Sequence, residues 1–272
     1  MEYNQLSSSR YSRTLSLTTL SFAILTSSVC SAETLTIAVA NNFYRPMQTL
    51  AHQFEQQTEH NIEISTGSSG QLATQIEHGA PFDLFFSADQ KRPSYLVAAN
   101  KAHGQSTYAK GVLALWTQST DWQPPMTSSE PVSLSGKIAI ADPKVAPYGE
   151  AAVAALNYYA SYEAVVDNAL FGKGLNATYQ YAATGNAQSA FLALSQLRSN
   201  AGKSANEKAS AQSDDLGGKI WIVPEESYPE ILQDFVYIEA SDKSSLAETF
   251  IHYLSSEKAR ETIANFGYKV TM

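Results

Sequence analysis

Gly67, Ser68, Ser69 and Gly70 form a small, hydroxyl-bearing turn between an apolar run (Ile62 to Ser65) and a helix-like segment, and a second apolar run, Gly79 to Asp89, follows. The order reads as strand, turn, helix, strand. A Gly/Ser turn that opens a helix presents unpaired backbone N–H groups and two hydroxyl donors at the positive end of the helix dipole. Such a donor set suits capture of a buried anion. Covalent chemistry has less support. The five histidines, His52, His60, His78, His103 and His252, are scattered over helical segments and turns, with neither a Gly-x-Ser-x-Gly elbow nor a zinc-ligand spacing. Asp83 and Asp89 could serve as a carboxylate pair, but capping and turn roles suit them better. The chain is therefore expected not to be an enzyme, to need no cofactor and to hold no cation directly. Its fifteen tyrosines keep ferric binding by phenolates open as an alternative, with Tyr158 and Tyr159 the first to consider.

Alternating strand and helix patterns predict the frame for this turn. Thr34 to Ala40 reads as a buried strand, and Asn41 and Asn42 follow as a turn and cap signal. Met47, Leu50, Ala51 and Phe54 then recur at helical spacing, with Pro46 near the first turn. Further strands are expected at Val112 to Trp116, Lys137 to Ala141, Ala190 to Leu194, Lys219 to Val223 and Phe235 to Ile238. Helices are expected from Gly149 through Tyr159, at Asn176 to Ala183, and as a closing pair at Leu246 to Leu254 and Glu257 to Phe266. This alternation implies an α/β fold with mostly parallel strands. Ser199 to Ser213 is poor in apolar residues and reads as a surface insertion.

Residues 1–32 have the layout of a secretory signal peptide: Arg10 and Arg13, an apolar stretch from Leu15 to Val29, and small residues before Glu33. Cleavage there would remove Cys30, the single cysteine, whose other fate would be lipid attachment. The chain carries 18 basic and 26 acidic residues for a formal charge of −8, and losing Arg10, Arg13 and Glu2 makes the remainder one unit more negative. No basic cluster is present, which argues against nucleic acid as a partner. An acidic protein that takes an anion must work through neutral dipoles at short range.

The run from Gly67 to Asp89 resembles the signature of the periplasmic molybdate-binding proteins of ABC importers. So do Asp142 Pro143 with Pro147 Tyr148 Gly149, Thr184 to Ala187 with Ala193 to Gln196, Trp221 to Pro224, and the Gly267 Tyr268 ending. The resemblance implies a two-lobed type II periplasmic binding fold, each lobe a sheet flanked by helices, with the ligand in the cleft between them. Lobe one would comprise 33–109 plus 234–272, and lobe two 110–233. It implies molybdate, with tungstate, held by Asn42 and Ser69 through side chain and backbone N–H, and by the backbone N–H groups of Tyr148 and Leu175; Asn41 is a reserve donor and Ser68 shapes the turn. It also implies a periplasmic location, an inner-membrane ABC permease with its ATPase subunit as partner, and a monomeric state. Another oxyanion or ferric ion remains the alternative cargo, with a secreted hydrolase behind them.

The chain departs from the family pattern where Asn42 replaces a common serine, where Lys173 and Gly174 replace an acidic residue and an asparagine, and where Ala193 stands in place of a tyrosine found in some members. Each candidate also has an ordinary role: Asn42 as an N-cap, Ser68 and Ser69 as turn residues, Tyr148 as a rim aromatic, Leu175 as core. A shell made only of donors would favour a fully ionised tetrahedral dianion over hydrogen phosphate, whose proton needs an acceptor.

Overall fold

The computed structural model describes residue 1 and residues 32–198 and 216–271. Residues 2–31 of the expected leader, Cys30 among them, and the expected insertion at 199–213 lie outside the described residues. The chain from Ala32 onward packs as one unit built on two sheets. No helix among the described residues is long and apolar enough to cross a membrane.

The first half of the chain runs β1 (Thr34–Ala40), a short 3-10 turn at Asn41–Phe43, α1 (Tyr44–Glu55), β2 (Asn61–Gly67), α2 (Ser69–Glu77), β3 (Leu84–Phe86), α3 (Lys91–Ala98) and β4 (Ala102–Gly111). It continues with β5 (Leu113–Thr117), β6 (Ile138–Ala141), α4 (Pro147–Tyr158), α5 (Tyr162–Val166), β7 (Ala169–Gly172), α6 (Leu175–Ala183), β8 (Ser189–Ala193) and α7 (Leu194–Leu197). The last elements are β9 (Lys219–Ile222), β10 (Ile231–Ile238), α8 (Ser244–Leu254), α9 (Glu257–Asn265) and β11 (Lys269–Val270).

Sheet one has the order β11-β4-β10-β3-β1-β2 and sheet two the order β7-β6-β8-β5-β9. Parallel pairing joins β1 to β2 and β3, and β6 to β7 and β8. The strands near the crossings between sheets, β4, β5, β9 and β10, pair antiparallel. Both sheets are thus mixed, and the parallel character expected from the alternation is confined to the β-α-β stretches.

Period-two alternation explains the core of sheet one. Leu35, Ile37 and Val39 of β1 face α1 and α8 through Met47, Leu50 and Phe250, whereas Ala38, Phe85 and Val236 face α2 and α3 through Leu72, Ile76 and Leu96. Sheet two closes on Leu113, Leu115, Ile138, Ile140, Ala152 and Leu156. The chain crosses between sheets at two adjacent places. A single residue, Val112, separates β4 from β5, and Ile231 at the start of β10 lies opposite Gly111.

Candidate functional site

Four helix starts gather between the two sheets, and each follows a strand of its own sheet. Asn41 and Asn42 come directly after β1, Ser68 and Ser69 after β2, Pro147 and Tyr148 after the turn beyond β6, and Gly174 and Leu175 after β7. In α/β sheets the carboxyl ends of the strands form the usual ligand crevice.

Direct distances fix the meeting. The Gly70 N–H in the first turn of α2 donates to the Val145 carbonyl ahead of α4 at 3.2 Å. Gly174, which caps α6, lies close against the sheet-one turns: a Cβ there would stand 2.7 Å from Asn41 Nδ2 and 3.3 Å from Ser68 Cβ. The sheet-one turns therefore touch the sheet-two turns, and the two halves stand in a closed arrangement.

At each junction the local sequence decides what is left to donate. Ser68 is the N-cap of α2 in a capping box: its Oγ accepts from Gln71 N at 3.3 Å and donates to Gln71 Oε1 at 3.0 Å. Its hydroxyl is engaged in shaping the turn. Ser69, 1 % exposed, accepts from Ala88 N at 2.9 Å and keeps its own proton for donation. Pro147 at the head of α4 has no N–H, so Tyr148 carries the first donor of that helix. A Cβ at Gly149 would collide with the Ala141 carbonyl, so α4 starts tight against the end of β6. At α6, Thr178 N and Oγ1 both donate to Gly174 O, at 3.1 and 3.0 Å, holding the first turn and leaving the Leu175 N–H at its open end. The Leu175 side chain is buried in the sheet-two core, and only its amide is in question. Asn41 accepts from Thr66 Oγ1 at 3.1 Å.

Asn42 is bound differently from the expectation. Its Nδ2 donates to Gln233 Oε1 at 2.8 Å and to Tyr268 OH at 2.9 Å, and its carbonyl accepts from Ser195 Oγ at 2.7 Å and Tyr268 OH at 2.8 Å. With the side-chain donors engaged in this web, what Asn42 has left to offer an anion is its backbone N–H. Its Oδ1 is buried without a hydrogen-bond partner. Gln233 also accepts from Tyr108 OH at 2.9 Å and donates to Tyr148 OH at 3.2 Å.

Sequence reasoning assigned no role to this ring of Gln233, Tyr108, Tyr268 and Ser195. Ser195 and Tyr268 do lie inside two of the short motifs that carried the family resemblance, which was the one available signal. Burial pushes the Tyr108 and Tyr148 phenols well above their ordinary value, and it raises Tyr268 against the opposing hydrogen bonds of Ser195, Asn42 and Tyr148. These phenols stay protonated and act as neutral hydrogen-bonding groups.

The other candidate chemistries find little support in the geometry. Tyr158 and Tyr159 pack edge to face at 5.1 Å, and Tyr159 packs likewise on Trp221 at 5.6 Å, which is aromatic packing and not a ligand set. Among the described residues no three His, Cys, Asp or Glu side chains come together to hold a cation. Asp83 holds Thr36 N and Ser241 Oγ, both at 2.7 Å, and Asp89 accepts from Arg92 N in the first turn of α3 at 2.9 Å. Lys173 is exposed, and Ala193 is fully buried.

Residues 35–269 match the model of the bacterial extracellular solute-binding protein family. The molybdate-binding protein ModA of Rhodobacter capsulatus is 35% identical over 243 residues, covering 85% of this chain and 86% of the relative. ModA of Azotobacter vinelandii is 35% identical over 243 residues, covering 88% and 92%. The solved periplasmic molybdate-binding protein of Azotobacter vinelandii superposes with a TM-score of 0.74 at 29% identity, over 88% of this chain and 100% of that one. Together with the two-sheet fold and its shared cleft, these matches identify the chain as a member of the bacterial extracellular solute-binding proteins, a family of binding proteins and not of enzymes.

Proposed function

We propose that this chain captures molybdate, and tungstate with it, in the periplasm and delivers it to an inner-membrane ABC permease and its ATPase subunit, acting as a monomer. The observation that carries the reading is the convergence of four helix starts in one closed cleft, and the ModA relatives support the choice of cargo. The donors proposed are the backbone N–H groups of Asn42, Ser69, Tyr148 and Leu175 with the Ser69 hydroxyl, while Asn41 and Ser68 shape the walls. All are neutral, so an anion bound there is held by dipoles in a water-excluded space, where each is stronger than in solvent. Molybdate and tungstate are unprotonated at neutral pH and need no acceptor.

The orphaned Asn42 Oδ1 favours a second reading, in which the cargo is a protonated oxyanion that brings a proton to this buried acceptor. Calorimetry with molybdate, tungstate, sulfate and phosphate separates the two. Binding of molybdate with no response to phosphate supports the first reading. Phosphate binding with no response to either heavy oxyanion replaces it by the second.

A further inference from the structure

The ring around Asn42 crosses from one sheet to the other. Asn42, Tyr108, Gln233 and Tyr268 belong to the sheet-one half, while Ser195 sits in α7 after β8 and Tyr148 in α4, both in the sheet-two half. Three buried hydrogen bonds make the crossing: Ser195 Oγ to the Asn42 carbonyl at 2.7 Å, Ser195 Oγ with the Tyr268 phenol at 3.0 Å, and Gln233 Nε2 to the Tyr148 phenol at 3.2 Å. Asn42, Gln233, Ser195 and Tyr148 are all 3 % exposed or less.

A second observation points to the same place. A Cβ on Gly111 would collide with both the Tyr148 hydroxyl and Gln233 Nε2. Gly111 ends β4 at the crossover to β5, and its φ is not in the left-handed region, so the absent side chain is explained by space and not by backbone conformation. The phenol of Tyr148 is thus seated against the strand about which the halves would turn.

The geometry points to Ser195, Gln233 and the Tyr148 phenol as positioning residues: they form an interlobe lock that engages when the halves close and holds Asn42 with its backbone N–H toward the cargo. This deepens the proposed oxyanion capture and rests on it for the identity of the cargo. The lock ties closure to the site in both directions. Rotation of the sheet-two half away from sheet one withdraws Ser195 from the Asn42 carbonyl and Tyr148 from Gln233, and Asn42 then keeps only its sheet-one partners. Tyr148 acquires two separate functions, its amide at the cargo and its phenol at the hinge.

Ser195→Ala removes the two crossing bonds of its hydroxyl and Tyr148→Phe removes the third, each with little change of volume. The expected result is molybdate dissociation faster by about two- to tenfold for each variant. Gly111→Ala should speed dissociation in the same way by displacing the phenol. Unchanged dissociation in all three overturns the lock, as does a drop in ligand-free melting temperature with unchanged dissociation, which would mark simple packing. Amide exchange at residues 42–44, measured without ligand, keeps this inference separate from the functional one. Faster exchange in Ser195→Ala supports the lock even if wild type ignores molybdate, and unchanged exchange overturns it.

Discussion

In the proposed site Leu175 would offer a proton to the anion by its backbone and Ser69 by its side chain, and the two call for different substitutions. Proline is tolerated at the first position of a helix, and Gly174 ahead of it, at φ 165° and ψ 174°, stays out of the α region that a following proline disfavours. Leu175→Pro therefore deletes the N–H while allowing α6 to form, and Leu175→Ala deletes the same buried side chain while keeping the N–H. Both variants should lose about 2–5 kcal/mol of stability from the vacated core. Only the proline variant should also lose molybdate affinity, by about 1–3 kcal/mol in calorimetry, and equal affinities would take the Leu175 amide out of the site. Ser69→Ala should weaken binding by about 1–3 kcal/mol if the hydroxyl donates a buried bond; unchanged affinity would reduce Ser69 to the partner of Ala88 N. The helix starts at these positions were legible because a helix start is a local event, announced by Gly, Ser, Asn and Pro beside an apolar run. The web around Asn42 was not, because its partners Gln233 and Tyr268 lie 191 and 226 positions away and no local pattern connects them.

At the scale of elements, α2 shows how a helix can be tuned for closure at some cost to its own stability. Glycine inside a helix is less favourable than alanine by about 0.5–1 kcal/mol, yet Gly70 occupies the second position of α2. A Cβ there would stand 3.2 Å from Val145 Cα and O, backbone atoms of the facing half. Gly70→Ala is therefore expected to raise the ligand-free melting temperature slightly while weakening molybdate binding, since the backbone can yield only by reopening the cleft. Raised stability with full affinity would show that the closed cleft has room to spare. Ser68→Ala acts on the same helix through the capping box and should cost about 1 kcal/mol, read by denaturant unfolding. Elements built on apolar periodicity, such as β1, α1, α4 and α8, fall within a few residues of where the pattern puts them. β4 does not, because its inward polar residues answer a buried charge: Thr107 Oγ1 and Gln105 Nε2 both donate to Asp234 at 2.6 Å, which hides the strand from any hydrophobic count. The mixed sheet order was equally hidden, since it follows from two crossings between halves far apart in sequence.

For the molecule as a whole, charge and cargo oppose one another, and closure resolves the opposition at short range. The full chain carries a formal charge of −8, and a dianion approaching it meets repulsion that extends over about 10 Å at 0.1 M salt. At the cleft several charged groups are already engaged with each other: Arg92 pairs with Asp89, reaches Glu150 at 3.7 Å and donates to the Lys144 carbonyl at 3.2 Å across the two halves. That arginine is thereby used to hold the halves together and to offset neighbouring carboxylates, so it adds little long-range attraction. Association should then be slowed by the net field and speeded by screening it. Stopped-flow Trp fluorescence is expected to show the molybdate association rate rising by about two- to fivefold between ~0.01 M and ~0.15 M salt, with dissociation nearly constant because the cargo is released from a closed, dehydrated site. A rate that falls with salt would mean a cationic path steers the oxyanion inward. In that case Arg92 and the exposed Lys173 at the α6 corner become the first residues to neutralise, and the all-neutral account of capture fails at its outermost step.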